Sequence, residues 1–375
     1  MTADVLIIGG GLAGLLNAIQ LNKVGLQVVV IEKKTYPFHR VCGEYISNEV
    51  LPFFDKLGLD VDCLNPSRIT RLEITNAGGK RFNTQLDLGG FGVSRYTLDN
   101  YLYKTAHAAG VKFMQNMRVE DVRFVQDRFE VTIPGQTLTA PLVIGSYGKR
   151  SNLDQTLKRD FFYKRSPFLA VKFHIKADLP EDLIQLNNYK DGYCGVSKVD
   201  GDRWCMCYLA HRDDLRKYGS LQALEENVIC KNPHLKKIFD TAEFLLDKPE
   251  VINEISFEKK APVEHHILMS GDTAGMIAPL CGNGMAMAIH SSKLLSEAVV
   301  RNYLPGKFNA QHRDKMEQEY TQAWNKEFAN RLWAGRQMHR LFGRDAVTGL
   351  TISMLNHVPL LANFLIRTSH GQPFA

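Results

Sequence analysis

Two patterns of apolar residues occupy different parts of the chain. Residues 4–8, 26–31 and 142–144 are short, nearly continuous apolar runs rich in valine and isoleucine. Such runs are typical of strands that a parallel sheet buries on both faces. Helical apolar spacing occurs at residues 15–24, at 97–109 and from about 309 to 366. This first pattern predicts an α/β fold built around a parallel sheet.

The second pattern is an alternation of apolar and polar residues, which predicts strands with two different faces. It occurs at residues 71–75, 81–85, 119–125, 129–133, 169–175, 193–199 and 203–209. Gln126-Asp127 separates one pair of these segments, and Asp200-Gly201, a strong hairpin signal, separates another. We expect an antiparallel sheet with one face available for a ligand.

Composition changes this picture only slightly. The 375 residues are 45% hydrophobic and 23% charged, which excludes an intrinsically disordered chain. A net charge of +6 is too small an excess to imply a nucleic-acid partner. Seven cysteines without regular spacing indicate reduced thiols and a cytoplasmic location. Residues 347–366 contain no Lys, Arg, Asp or Glu, so we interpret them either as a tail packed on protein or as a peripheral membrane contact.

A glycine motif follows the first predicted strand. Gly9, Gly11 and Gly14 form G-x-G-x-x-G, with Leu12 and Ala13 between the last two glycines. In a strand–turn–helix context these glycines allow a tight turn, close approach of backbone to a pyrophosphate, and packing of helix on strand. Glu32 ends the second strand, where a carboxylate can accept hydrogen bonds from ribose hydroxyls and would repel a 2′-phosphate. The motif predicts dinucleotide binding without separating NAD from FAD.

A second constellation narrows the choice. A short strand at residues 267–270 precedes Gly271-Asp272, and Pro279 and Gly282-Asn283-Gly284-Met285 lead into a predicted helix. Together with the glycine motif and Arg95-x-x-x-Asp99-x-x-Leu102, this set resembles the FAD-dependent superfamily that contains para-hydroxybenzoate hydroxylase, geranylgeranyl reductases and flavin-dependent halogenases. The resemblance extends from residue 1 to about residue 300.

The resemblance implies a Rossmann-like FAD-binding domain of the three-layer glutathione-reductase type, with an interleaved antiparallel substrate sheet and C-terminal helices. We assign residues 1–68, 90–165 and 260–305 to the FAD-binding domain. Residues 69–89 and 166–259 are assigned to the substrate domain, and residues 306–375 to the C-terminal helical segment.

The resemblance also implies roles for particular residues. Asp272 would hold the ribityl chain of FAD, and the helix that begins near Gly284 would point its N-terminus at the flavin, where reduced flavin carries negative charge. Arg40 and Arg95 are expected at the pyrophosphate or the flavin edge, and Val119 at adenine through its backbone. The predicted cofactor-binding set is completed by Lys33, Cys42, Gly43, Pro279, Gly282, Asn283 and Met285.

Cys42 and Glu44 are the predicted catalytic residues, because the Cys-Gly-Glu segment resembles the stretch of geranylgeranyl reductases that lies near the flavin. Glu44 could donate a proton or anchor the substrate, and a structural role for both residues is the alternative. No metal site is predicted, since His265, His266 and His290 lack a third ligand at metal spacing.

Two departures from the superfamily affect the predicted reaction. Tyr147 occupies the place of an aspartate that bridges FAD and NADPH in aromatic hydroxylases, so NADH, NADPH and a separate reductase remain alternative electron sources. The Trp-x-Trp-x-Ile-Pro signature of tryptophan halogenases is missing.

The leading hypothesis is a FAD-dependent monooxygenase that hydroxylates an apolar aromatic or polyketide-like molecule. The alternatives are a prenyl or alkene reductase, a halogenase, and a flavin-binding partner without its own turnover. An aromatic cavity for the substrate is one interpretation, and ordinary core packing of the same aromatic residues is the alternative. The predicted lining of this cavity is Phe168, Phe173, Tyr193, Trp204, Tyr208, Phe328, Trp333, Phe342 and Phe364.

Overall fold

A mostly parallel sheet forms the first layer around which the chain is organised. The computed structural model describes residues 3–342, 345–357 and 370–375. The strands of this sheet, in spatial order, are β17 (Val263–Glu264), β18 (Ile267–Met269), β10 (Leu142–Gly145), β1 (Val5–Ile8), β2 (Val28–Ile31) and β6 (Lys112–Met114). Every residue of β1, β2 and β10 is buried. The continuous apolar runs of the sequence are thus the central strands, as predicted.

Helices and a small sheet cover this parallel sheet. The helices are α1 (Leu12–Lys23), α3 (Arg95–Ala108) and α9 (Gly284–Asn302), and α1 packs against both others. The small antiparallel sheet contains β7 (Asp121–Val125), β8 (Arg128–Ile133) and β9 (Gln136–Ala140). Positive φ angles at Gln126 and Asp127 form the predicted hairpin turn between β7 and β8. The α/β fold class predicted from the sequence is confirmed.

A large, mainly antiparallel sheet lies beside this assembly. Its strands, in spatial order, are β15 (Glu243–Phe244), β11 (Phe168–Lys176), β14 (Trp204–His211), β13 (Gly192–Lys198), β12 (Leu183–Tyr189), β4 (Ser67–Thr75), β5 (Arg81–Gly92) and β3 (Tyr45–Ser47), with β16 (Glu250–Asn253) also paired to β11. The prediction missed β3, which lies inside the stretch 1–68 assigned to the FAD-binding domain. Strands β4 and β5 likewise extend beyond the predicted segment 69–89.

The strand register divides the large sheet into two faces. On one face, Phe173, Trp204 and Met206 belong to a second hydrophobic core. Helices α6 (Arg212–Tyr218), α7 (Leu221–Asn227) and α8 (Pro233–Thr241) contribute Leu224, Leu235 and Ile238 to the same core. The opposite face carries Lys172 and His174 on β11 and is turned toward Glu44. We call this second face the inner face.

The remaining helices are short, except at the C-terminal end. They are α2 (Leu51–Leu57), α4 (Asn152–Thr156), α5 (Asp160–Tyr163), α10 (Ala310–Phe342) and α11 (Asp345–His357). The last predicted helical residues, 358–366, and with them Phe364, lie outside the described residues. In the part of the chain that the structure describes, no helix is long and apolar enough to cross a membrane.

Candidate active site

The glycine turn joins the end of β1 to the start of α1. Gly9 has a φ of 98° and donates its N–H to the carbonyl of Ile31 over 2.8 Å, which fixes the turn beside β2. A Cβ at Gly14 would lie 2.0 Å from the carbonyl oxygen of Gly9, so only glycine allows this contact. Gly11, Leu12 and Ala13 line a large cavity. The turn therefore presents backbone N–H groups of α1 to that cavity.

Glu32 lies behind the turn, as the motif predicts. Its carboxylate is buried and accepts hydrogen bonds from the backbone N–H of Gly10 (2.8 Å) and from Arg40 Nη2 (3.2 Å). Lys33 follows it in the chain and lines the cavity. Val119 lies before β7, and its carbonyl accepts a hydrogen bond from Asn152 Nδ2 over 3.2 Å.

Two arginines converge on the same turn. Arg95, in the first turn of α3, donates from Nε and Nη2 to the Asp99 carboxylate over 2.7 and 2.8 Å. Arg40 donates from Nε to the same carboxylate over 2.9 Å. A Cβ at Gly11 would lie 3.5 Å from Arg95 Nη2 and 3.9 Å from Arg40. The predicted arginines are thus held next to the backbone where a pyrophosphate would bind.

The second constellation surrounds the start of α9. Asp272 lies in a short turn after β18 and lines the cavity, as do Pro279, Gly282, Gly284 and Met285. Gly282 has a φ of 64°, a left-handed conformation that glycine adopts without strain. Asn283 precedes the helix, and its side chain hydrogen-bonds the Glu49 carboxylate. The N-terminal turn of α9 therefore borders the cavity directly.

A buried lysine supports Asp272 from behind. Lys260 Nζ donates to the carbonyls of Asp272 (2.8 Å) and Lys149 (2.9 Å). Burial lowers the pKa of Lys260 to about 8. The sequence gives no local signal for this residue, which comes close to Asp272 through tertiary packing.

The segment 39–46 crosses the cavity between the two constellations, and we call it the covering segment. Cys42 and Gly43 line the cavity, and a Cβ at Gly43 would have no neighbour within 4 Å. Lys149 Nζ donates to the carbonyl of Val41 over 2.9 Å, and Cys205 Sγ donates to the carbonyl of Cys42 over 3.2 Å. These contacts fix the backbone of the segment on both sides.

Glu44 anchors the covering segment to the large sheet. Its side chain is fully buried, and its carboxylate pairs with Lys172 Nζ and lies 2.6 Å from His174 Nε2. The same carboxylate accepts the backbone N–H of Arg95 over 2.7 Å. Burial opposes ionisation, but the charge of Lys172 and the hydrogen bond with His174 outweigh it and lower the pKa of Glu44 to about 2.

The buried contacts of the Glu44 carboxylate with Lys172 and His174 favour the structural alternative over the predicted proton donor or substrate anchor. These contacts give Glu44 a positioning role. Glu44, His174 and Cys205 also lie within 4.8 Å of one another, the spacing of metal ligands. However, the Lys172 ammonium takes one Glu44 oxygen and its charge opposes a cation. We assign the cluster as a hydrogen-bonded ion pair.

Tyr147 occupies the wall of the cavity where the resemblance leads one to expect an aspartate. Its hydroxyl lies 3.7 Å from Met269 Sδ and 3.5 Å from Arg159 Nη1. Burial raises the pKa of this phenol, so it carries no charge at neutral pH. The neighbouring Lys149 and Arg150 also line the cavity.

The cavity has a volume of about 530 Å³ and continues from the glycine turn to the inner face of the large sheet. Apolar side chains of β4, β5 and β12 line its far part, and we call them the apolar floor. They are Leu72, Ile74, Phe82, Leu86, Ile184 and Leu186. The floor is mainly aliphatic.

Only part of the predicted aromatic lining reaches the cavity, because several of these residues pack elsewhere. Phe173 and Trp204 belong to the core on the opposite face. Tyr208 contributes to the cavity lining, but its hydroxyl donates to Glu225 of α7 on the opposite side. Phe328 is buried in the main core, and Trp333 is 60% exposed. Tyr193 faces the cavity, where its hydroxyl accepts the N–H of Leu280 over 2.9 Å.

The comparison with family models decides the cofactor. Residues 2–304 match the family described as FAD binding domain. The chain belongs to this FAD-binding family. This match confirms the prediction of FAD rather than NAD.

Relatives of this flavoprotein differ in their reactions. The chain is 24% identical over 333 residues to 3-hydroxybenzoate 6-hydroxylase from Klebsiella oxytoca, covering 79% of each protein. Its fold is similar to that of a flavin-dependent brominase, with a TM-score of 0.80, 19% identity, and coverage of 100% of this chain and 95% of the brominase. A geranylgeranyl bacteriochlorophyll reductase-like protein from Thermoplasma acidophilum gives a TM-score of 0.77 at 18% identity, covering 99% and 92%. The relatives therefore support a FAD-dependent oxidoreductase without choosing among these reactions.

The residues around the cavity fit FAD. The N-cap of α1 is glycine, which supplies no side chain to the first-turn N–H groups, and neither α1 nor α9 has an acidic residue in its first turn. Two helix N-termini are thus open to negative charge on one cavity. Arg40 and Arg95 add positive charge beside the first, and Asp272 adds a hydrogen-bond acceptor beside the second.

Sequence reasoning missed the two basic residues that hold the covering segment. Lys172 and His174 lie on the polar side of the alternating stretch 169–175, so the pattern places them on one face. Two basic residues inside an otherwise apolar strand are a usable signal of a buried ionic partner. The pattern does not identify Glu44 as that partner.

Proposed function

We propose that this flavoprotein is a monooxygenase that hydroxylates an apolar aromatic or polyketide-like small molecule. The observation that supports it is the continuous cavity, which leads from the FAD-binding turn past the start of α9 to an apolar sheet face. An apolar substrate on that face would lie between the sheet and the flavin and would exclude water from the reacting atoms.

The chain's own residues would bind and orient the reactants. The N-terminus of α1, with Arg40 and Arg95, would hold the pyrophosphate, and Asp272 would accept hydrogen bonds from the ribityl chain. Met285 and the first turn of α9 would border the flavin ring. When bound, FAD supplies the redox chemistry that joins a two-electron donor, dioxygen and substrate. One oxygen atom would enter the product and the other would leave as water.

The test uses purified holoenzyme with NADH, NADPH or a flavin reductase as electron donor. We expect substrate-stimulated oxygen consumption and a product heavier by one oxygen atom, which carries the label when ¹⁸O₂ is supplied. A product labelled from water instead, or oxygen consumption that yields only hydrogen peroxide with every apolar phenol and polyketide tried, would contradict a monooxygenase.

An alkene reductase is the second candidate. It is favoured by Cys42-Gly43 at the cavity wall and by the aliphatic character of the apolar floor. Such an enzyme would reduce a prenyl chain without oxygen. Anaerobic incubation of the reduced holoenzyme with geranylgeranyl lipids distinguishes the two, because saturation of a double bond under these conditions supports the reductase.

Adding bromide or chloride to the aerobic assay detects the halogenase alternative through a halogenated product.

A further inference from the structure

We infer that the substrate carries a flexible aliphatic chain, which binds on the apolar floor while the reacting group lies at the flavin. The inference rests on the proposed function for the identity of the reacting group. It goes beyond that function by assigning the far part of the cavity to a chain rather than to a second ring.

The floor is continuous across three neighbouring strands. Ile184 of β12 pairs with Leu72 of β4, and Leu186 pairs with Ile74. Ile74 in turn pairs with Phe82 of β5. Residues paired across strands point to the same face, so these side chains form adjacent rows rather than scattered contacts. A row of this kind runs across the strands and gives the floor an elongated shape.

The C-terminal helices cover the same region. Helix α11 packs on β5 and β12, and Asn356 Nδ2 donates to the carbonyl of Arg81 over 3.1 Å. Leu355 of α11 and Met338 of α10 line the cavity. The floor and this cover enclose an apolar space between the sheet and the helices. An apolar chain bound there would be shielded from water by the sheet on one side and by the helices on the other.

The lining chemistry favours a chain over an aromatic ring system. Five of the six side chains of the apolar floor are aliphatic and the sixth is Phe82, while Tyr193 of the neighbouring β13 also lines the cavity. Leu and Ile side chains make dispersion contacts along an alkyl chain, whereas stacking of a second ring would call for aromatic faces. Among the described residues, the floor also offers no charged side chain to hold an ionic tail. An alkyl or acyl chain therefore matches the site.

The test measures binding of 4-alkylphenols, with side chains from ethyl to decyl, to the oxidised holoenzyme. Perturbation of the flavin absorbance reports binding and requires no turnover. Burial of one methylene corresponds to about a fourfold gain in affinity. We expect the dissociation constant to fall at least a hundredfold between ethylphenol and octylphenol. A dissociation constant that stays within threefold across the series would overturn the inference.

Two variants locate the chain. Leu72→Trp fills the middle of the floor, and Asn83→Trp adds the same ring to an exposed position of β5. We expect L72W to lose at least tenfold in affinity for octylphenol with little change for ethylphenol, and N83W to bind both as the wild type does. Ile184→Phe repeats the test should L72W fail to fold. Equal octylphenol binding by wild type and the folded floor variants would overturn the inference.

The outcomes separate this inference from the proposed function. Chain-dependent binding without an oxygenated product would retain the chain site and contradict the monooxygenase. Hydroxylation of short and long alkylphenols with the same KM would support the monooxygenase and contradict the chain site.

Discussion

The two ends of the inner face of the large sheet have different surroundings, although alternating strands form both. At the β11 end, Lys172 and His174 are fully enclosed and bind the Glu44 carboxylate. At the β4, β5 and β12 end, the side chains of the apolar floor are left facing a cavity. One end fixes the covering segment to the sheet, whereas the other borders the cavity. We call the first the structural end and, on the proposed function, the second the binding end.

The division has a physical reason. A buried ion pair gains little over apolar packing, but the loss of one partner leaves an uncompensated charge and costs several kcal/mol. Glu44 has a φ of 57°, an uncommon conformation for a residue with a side chain, and its ion pair holds the covering segment in place. Apolar side chains that face a cavity have fewer neighbours to lose. Mutations at the two ends should therefore have effects of different size.

The largest expected effect is at the structural end. Lys172→Met would leave the Glu44 carboxylate buried without its ammonium partner, and we expect a loss of about 3 to 5 kcal/mol in the free energy of unfolding. Urea unfolding of the holoenzyme measures this loss, and FAD retention after gel filtration reports the covering segment. Lys176→Met is the matched control, because Lys176 is exposed on the same strand and pairs with the exposed Glu243.

The control should change stability by less than about 0.5 kcal/mol. If K172M and K176M unfold at the same urea concentration, the structural end does not carry the stability that we assign to it.

Acid sensitivity is the next largest effect. The pKa of Glu44 is lowered from 4.5 to about 2 in the folded protein, so its ionisation stabilises the fold above about pH 4.5. This contribution is lost as the pH falls from 4.5 toward 2, and it amounts to about 3 kcal/mol. The free energy of unfolding measured between pH 6 and pH 3 should therefore fall less steeply in Glu44→Gln than in the wild type.

Glu243→Gln, which removes an exposed carboxylate that pairs with the exposed Lys176, is the matched control. Parallel pH profiles for E44Q and the wild type would show that the Glu44 carboxyl does not titrate differently in the folded and unfolded states.

The sequence predicted the fold from the contrast between continuous and alternating apolar runs, and the central strands β1, β2 and β10 follow it. Strand β3 could not be predicted in the same way, because three residues are too few to show a period. Its strand character depends on pairing with β5, for example Ile46 with Phe91. Pairing over that separation is a tertiary effect that a local pattern does not contain.

The cofactor site was more predictable than the substrate site. Gly11, Asp272 and Gly284 belong to motifs in which spacing along the chain carries the chemistry. The substrate face depends instead on which side of the large sheet the helices cover, and alternation gives two faces without assigning either. We predicted Phe173 on the ligand side, but α6, α7 and α8 cover the face that carries Phe173. Lys172 lies on the other face, which is the inner one.

The smallest expected effect is at the binding end. It is tested by comparing one leucine from each face of the large sheet. Leu186 is 8% exposed and faces the cavity, whereas Leu169 is fully buried in the core beneath α6, α7 and α8. Leu169→Ala would create a new cavity and should cost about 2 to 5 kcal/mol. Leu186→Ala would enlarge a cavity that already exists, so we expect a loss of only about 1 kcal/mol.

Urea unfolding without added ligand tests this difference, with FAD content matched between the two variants. A loss in L186A equal to that in L169A would mean that the apolar floor is packed as tightly as the closed core, which leaves no space there for a substrate. A small loss in L186A, combined with weaker binding of octylphenol, would indicate that the Leu186 side chain contributes more to ligand binding than to folding. That combination separates the binding end of the inner face from the closed core on the opposite face in one pair of measurements.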